Sequence, residues 1–248
     1  MQRRGTFRVL GPIDLLTPSG PISIGGHHQR ALVGALVMSA GHAVPIDHLG
    51  FVLWGDDPPR SADNTLGSYM SSIRQIVGAD AIVRTDHSYV LDLAAADVDA
   101  LEFERLIRRA DAAREDPEEC WELCRNALFL WRGRPFGELA DDEPFVSEAI
   151  RLDELRLAAM ELSMSADLAL GRHELVVGEL ETAVREYPYR ERLWYLLIEA
   201  LTLGDRRVEA LRAGAELRRV LAEVGIEAGD SIGELESRIL AGGAESPK

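Results

Sequence analysis

Two consecutive prolines, Pro58 and Pro59, fix where this chain must turn. Proline lacks the N–H of a helical hydrogen bond, and its ring clashes with the carbonyl four residues back, so residues 56–60 form a loop. On the N-terminal side, "AVPIDHLGFVLWG" predicts a short helix from Pro45 to Trp54, opened by a proline whose missing N–H costs nothing there. On the other side, Ser61 is the expected N-cap of a longer helix. Leu66, Tyr69, Met70, Ile73, Ile76 and Val77 then recur at helical spacing and define one apolar arc. Two helices joined by a stiff five-residue loop read as a helix-turn-helix.

The flanking segments extend that motif. "FRVLG" (7–11), "IDLLT" (13–17) and "ISIGG" (22–26) predict an antiparallel three-stranded ribbon, with turn chemistry in "TPSGP" (17–21). A helix follows from His27 and stops before Gly41. "AIVRTDHSYVLDL" (81–93) predicts a hairpin turning at residues 85–88, in the position of a wing. "AAADVDA" (94–100) reads as a linker.

Beyond the linker the pattern is helical, broken at "EDP" (115–117), "RGRPFG" (132–137), "LGRHE" (170–174), "EYPYRE" (186–191), "LGDRR" (203–207) and "VGIEAG" (224–229). "LALGRHELVVGELETAV" (168–184) resembles "LTLGDRRVEALRAGAEL" (201–217) at an offset of 33 residues, with a degenerate unit near residues 110–130. Helix pairs recurring at about 34 residues are the mark of tetratricopeptide-type stacking. The expected fold class is mainly α. It comprises an N-terminal winged helix-turn-helix with small β-sheets (1–93), a tetratricopeptide-like helical repeat domain (94–241) and a disordered tail (242–248).

Charge separates the halves. Residues 1–93 hold seven arginines against eight aspartates, while residues 94–248 hold 19 arginines and one lysine against 34 acidic residues. A nucleic-acid contact therefore belongs in the near-neutral first part. The carboxylates of the second part alternate with arginine at i,i+4, as in "RLDELRL" (151–157), which marks a solvated face rather than a paired-carboxylate active site. No phosphate-cradling glycine loop or nucleophile elbow occurs, so no enzyme and no cofactor are expected. His27, His28, His42 and His48 match no ligand spacing, so no metal is expected. Cys120 and Cys124, at i and i+4, are expected to be reduced and buried. No long apolar run opens the chain or spans a membrane length, and a cytoplasmic protein is expected.

"LWGDDPPRSADNTLGSYMSSIRQIVG" (53–78), "ALFLWRGRPFGEL" (127–139), "EAIRLDELRLAAME" (148–161), "YPYRERLW" (187–194) and "VEALRAGAELRRVLAEVGIEAGDSIGELESRIL" (208–240) together resemble, in collinear order over nearly the whole chain, the Streptomyces antibiotic regulatory proteins. That family pairs an OmpR-type winged helix with a helical bacterial transcriptional activation domain. The resemblance implies an activator of a biosynthetic gene cluster that binds promoter DNA and helps recruit the RNA polymerase holoenzyme. A second copy of the chain is a further expected partner; a membrane is not.

The expected DNA face of the second helix holds Asn64, Ser68, Ser71, Ser72, Arg74 and Gln75, joined by Arg60 from the loop and by Arg84 and His87 from the hairpin. Asn and Gln can read adenine and Arg can read guanine or phosphate. The family usually carries more basic residues where Ser72 and Gln75 stand, and a glycine where Ser88 precedes Tyr89. In OmpR-type winged helices the loop before the recognition helix can face polymerase, which makes Asp56 and Asp57 the expected polymerase contacts. Two other readings stay open: an adaptor whose winged helix binds DNA weakly or not at all, and a sensor whose helical domain holds a small molecule.

Overall fold

Thr17 closes the first turn by donating its hydroxyl to the Gly20 carbonyl at 2.8 Å, and Gly20, at φ 116°, takes the left-handed conformation that the turn requires. The strands on either side are β2 (Asp14–Thr17) and β3 (Gly20–Ser23), and β1 (Thr6–Arg8) pairs antiparallel with β2. The computed structural model describes residues 5–242; of the expected tail at residues 242–248, Gly242 is the last residue of a helix rather than disordered, and residues 243–248 lie outside the described residues. The ribbon has one strand more than expected. β7 (Asp97–Val98), inside the segment read as a linker, pairs parallel with β1 to complete the order β3-β2-β1-β7.

Helix α1 (His27–Met38) is buried at every position from Ala31 to Val37, as a helix apolar on all sides must be. Strand β4 (Ala43–Pro45), absent from the expectation, leads directly into α2 (Ile46–Trp54). Helix α3 (Ala62–Val77) follows the Pro58–Pro59 loop, and β5 (Ile82–Arg84) and β6 (Ser88–Leu91) form the expected hairpin. β6 is the central strand of the sheet β4-β6-β5. Leu66, Met70 and Ile73 are buried as the apolar arc predicts, while Tyr69, Ile76 and Val77 are only half-buried. Ser61 makes no N-cap bond. The helix starts from a tight turn instead, with Ala62 N–H donating to Pro59 O at 2.9 Å and Thr65 N–H to Ser61 O at 2.9 Å.

Compactness divides the chain into two units: Met1–Ile107 with Asn126–Leu157, and Arg108–Arg125 with Ala158–Lys248. The expected boundary after Leu93 therefore falls inside the first unit. The physical cause is a set of contacts that the linker reading misses. Asp99, first residue of α4 (Asp99–Ala112), is 2% exposed and accepts Val9 N–H at 2.8 Å and Leu10 N–H at 3.1 Å. Burial pushes its carboxyl up to about 6, against the lowering pull of those amides and of Arg132. The "RGRPFG" break is a docked loop: Arg132 N–H donates to Leu10 O at 2.8 Å and Phe136 N–H to Val9 O at 2.7 Å. Gly11 and Gly137 permit this approach, because a Cβ on Gly11 would lie 2.9 Å from Arg132 Cβ and one on Gly137 2.9 Å from Pro12 Cα. The start of α6 (Phe145–Ala169) packs Phe145 over Gly34 of α1, where an added Cβ would meet the ring at 2.7 Å.

The second unit is helical. It includes most of α5 (Pro117–Leu128), the end of α6, and α7 (His173–Glu186), α8 (Glu191–Leu203), α9 (Arg207–Ala222) and α10 (Asp230–Gly242). Its core holds Leu180, Leu193, Trp194, Leu197 and Leu217. "YPYRERLW" turns between α7 and α8 as expected: the Trp194 indole N–H donates to Pro188 O at 2.9 Å and Arg190 pairs with Glu161 at 2.7 Å. Cys120 and Cys124 are free and buried, and burial pushes the Cys124 thiol up to about 12, which keeps it unreactive.

Three helices end alike. Gly171, Asp205 and Gly225 have φ of 73°, 56° and 74°, and the next residue donates its N–H back five positions, to Asp167, Leu201 and Leu221. The first two left-handed residues therefore recur at 34 residues, one more than the sequence offset, because Asp205 rather than Gly204 takes that conformation. Asp205→Gly is expected to raise stability by about 0.5–1 kcal/mol, read as a melting-temperature increase. An unchanged or lower melting temperature would show that the Asp205 side chain compensates its backbone.

Candidate nucleic-acid interface

Helix α3 and the β5–β6 turn face each other across a groove of roughly 720 Å³. Helical spacing sets one wall: Asp63, Gly67 and Ser71 lie at i, i+4 and i+8, with Asn64 and Ser68 beside them. The hairpin sets the other wall with Arg84, Asp86, His87 and the edge of Tyr89. Ile46 N–H donates to His87 O at 3.0 Å, which ties the hairpin turn to the start of α2. Thr85 N–H donates to Ser88 O at 2.9 Å and closes the turn.

The groove gathers five of the expected residues: Asn64, Ser68, Ser71, Arg84 and His87. Arg60, Ser72 and Gln75 are exposed but do not line it. Arg74 departs from the expected outward orientation. It is half-buried, its Nε has no partner, and its Nη2 lies 3.4 Å from the Ala79 carbonyl just past the end of α3. A cation there complements the negative end of the helix dipole, so the one basic residue of α3 serves its own C-terminus in this conformation.

Hydroxyl chemistry and charge both temper the groove. Ser68 donates to Asn64 O at 2.9 Å and Ser72 to Ser68 O at 3.1 Å, so each turns lone pairs rather than a proton outward. Asp47, Asp63 and Asp86 line the same groove against a single arginine, Arg84, whose guanidinium stands 5.9 Å from the Tyr89 ring centroid. Sequence reasoning does not bring these aspartates to the site. The spacing of Asp63 from Gly67 and Ser71 is a usable signal for one of them; Asp47 and Asp86 enter only through the fold.

A second concavity of about 400 Å³ adjoins the loop. Ile46, Phe51, Trp54, Pro58 and Ala62 form its apolar lining, and Asp47, Asp56 and Asp63 stand at it. Asp57 is exposed but outside this lining. Phe51 is 50% exposed, unusual for a side chain of its size. No cluster of histidine, cysteine and carboxylates suited to a metal occurs among the described residues. Nor is any described helix long and apolar enough to cross a membrane.

Residues 98–240 match the family model described as the bacterial transcriptional activator domain, which places the chain among bacterial transcriptional regulators by class. The chain belongs to the Streptomyces antibiotic regulatory protein family. It is 34% identical over 238 residues to the regulatory protein AfsR of Streptomyces griseus, covering 94% of this chain but only 24% of that protein, about a quarter of its length. It is 31% identical over 248 residues to the regulatory protein DnrI of Streptomyces peucetius, covering 94% of this chain and 91% of DnrI. Among solved structures it is similar to Mycobacterium tuberculosis EmbR in complex with a low-affinity phosphopeptide. That match has a TM-score of 0.88 at 30% identity and covers 99% of this chain and 66% of the EmbR chain.

Proposed function

We propose that this chain is a DNA-binding transcriptional activator of a secondary-metabolite gene cluster. In this reading residues 1–93 carry an OmpR-type winged helix-turn-helix, with α3 as the recognition helix in the major groove and the β5–β6 turn as the wing. The helical part over residues 94–241 is a tetratricopeptide-like activation domain that offers a surface to protein. The observation that carries the reading is the convergence of Asn64, Ser68, Ser71, Arg84 and His87 on one groove beside an exposed helix face. Asn64 is suited to adenine, and Arg84 to a backbone phosphate. Arg60, Ser72 and Gln75 extend the contact along α3, and Arg74 joins it by leaving the Ala79 carbonyl. The acidic and apolar loop surface with Asp56 and Asp57 faces RNA polymerase, whose recruitment activates transcription. Two copies on adjacent repeats of the operator would add affinity that one weakly basic helix lacks.

The three aspartates of the groove favour one competing reading, an adaptor that binds DNA weakly or not at all. Titration of promoter fragments across a salt series separates the two. For a DNA reader, Arg84→Ala lowers the slope of log affinity against log salt by about one and weakens all sequences alike. Asp86→Asn has the opposite effect and raises non-specific affinity. An adaptor gives no specific retardation at any salt concentration, with or without polymerase.

A further inference from the structure

Another groove of the first unit, about 740 Å³, shares no lining residue with the α3 groove. One wall is a face of the four-stranded sheet. Thr6 pairs in register with Leu16 on β2 and with Asp97 on β7, and all three line the groove together with Arg8. The other wall is the first turns of α4, with Leu101 and Arg105, and the chain just after α5, with Phe129 and Leu130. The volume lies within the range of roughly 300–1,000 Å³ common for small-molecule sites. Its apolar side chains are unusually open: Leu16, Leu93 and Leu101 are each 38% exposed and Phe129 is 88% exposed.

Among the described residues, the charges at this groove are already paired, with one exception. Arg8 makes two hydrogen bonds of 2.6 Å to Asp14. Arg132 donates to the Pro12 carbonyl at 3.0 Å and lies 3.4 Å from Asp14, and Arg105 holds Glu102 through Nε at 2.7 Å. Asp99 is buried against the Val9 and Leu10 amides. Asp97 is exposed, its backbone is held by the pairing with β1, and its carboxylate has no partner among the described residues. An open apolar groove with a single unpaired acid selects against anionic ligands and for a cation with an apolar body.

We propose that this groove binds an amphipathic small molecule whose ring-bearing apolar body lies against Leu16, Leu101 and Phe129 and whose protonated amine reaches Asp97. Such a ligand spans β1, β7 and α4, the elements that Asp99 joins, and so stabilises the first unit when bound. The inference is independent of DNA reading.

The test uses the full chain and two probes with the same fluorophore: monodansylcadaverine, which carries an amine, and dansylglycine, which carries a carboxylate. The cationic probe is expected to show a saturable blue shift and to bind roughly threefold to fivefold tighter than the anionic one, a margin that shrinks at high salt. Asp97→Asn removes the margin and Asp97→Lys inverts it. Leu101→Arg, which replaces an apolar wall with a bulkier cation, weakens the cationic probe by roughly tenfold or more. Asp97 and Leu101 are both exposed, so unchanged circular dichroism melts separate loss of the site from loss of the fold. No saturable signal up to about 1 mM of the cationic probe overturns the proposal. Equal binding of the two probes, or equal binding of the cationic probe to Leu101→Arg and wild type, overturns it as well.

Discussion

A fragment ending at Leu93 is expected to show no cooperative thermal transition, although the sequence places a natural boundary there. The cut removes β7 from the edge of β1, the Asp99 carboxylate from the Val9 and Leu10 amides, and the docked 132–137 loop from the β1–β2 connection. It also removes Phe136 and Phe145, which are 2% and 1% exposed, and with Phe145 the ring that covers Gly34 in the middle of α1. Loss of a buried phenylalanine side chain alone costs about 3–5 kcal/mol. Two such losses take up much or all of the roughly 5–15 kcal/mol by which a domain is stable, before Leu10 and Val9 are exposed to water. The 1–93 fragment should bind a hydrophobic dye and give a collapsed amide spectrum. A sharp sigmoidal melt from that fragment would show that the docked segments only decorate a self-sufficient module.

Removal of the Asp99 carboxylate is the second large effect. Asp99→Ala leaves the buried Val9 and Leu10 amides without their acceptor, removes the carboxylate 3.9 Å from Arg132, and is expected to destabilise the fold by about 3–5 kcal/mol. The same residue gives stability a definite pH dependence. Its carboxyl titrates near 3.8 in the unfolded chain and at about 6 in the folded one, so between these values the folded state binds the extra proton. This contribution is fully present below pH 3.8 and is lost as pH rises through about 6. Its size is about 3 kcal/mol, because stability falls by about 1.4 kcal/mol for each pH unit crossed between the two values. Asp99→Asn carries no titrating group and keeps one acceptor oxygen. Relative to that variant, wild-type stability measured by denaturant unfolding should fall across this window. A difference that is flat, or that grows with pH, would mean that the amides and Arg132 outweigh the cost of burial.

Local chemistry makes much of the first unit readable. The Pro58–Pro59 break, the apolar arc of Leu66, Met70 and Ile73, and the hairpin turning at residues 85–88 are all set by neighbours in sequence. What escapes depends on distant partners. β7 is two residues long, too short for any periodicity, and is a strand only because β1 offers an edge. "RGRPFG" looks like a break because its glycines mark an irregular backbone, but their use is close approach to Gly11 and Pro12. Arg74 has the sequence position of a DNA contact, yet it folds back to the end of its own helix, a choice that helical phase does not encode. Ser61 has the residue type of an N-cap, but the Pro59 carbonyl opens the helix instead.

The same division applies to the groove beside α3. Helical spacing identifies Asn64, Ser68 and Ser71 as one face, and hairpin chemistry presents Arg84 and His87. Their convergence, and the intrusion of Asp47 and Asp86, follow from the tertiary packing of α2 and the β5–β6 hairpin. On the proposed reading, that charge balance means DNA recognition that depends on base contacts and on cooperation between copies or with polymerase more than on phosphate attraction.

A footprint on the promoters next to the gene tests this account most directly, with wild type compared with the Asn64→Ala, Ser71→Ala double variant. Both side chains are exposed, so the two proteins should melt alike. Wild type is expected to protect one discrete segment at low salt, more strongly with polymerase present, and the double variant to need roughly tenfold more protein for the same protection. Protection of the same segment at equal concentrations, or no protection by wild type even with polymerase, would contradict the assignment of α3 as the DNA-reading helix.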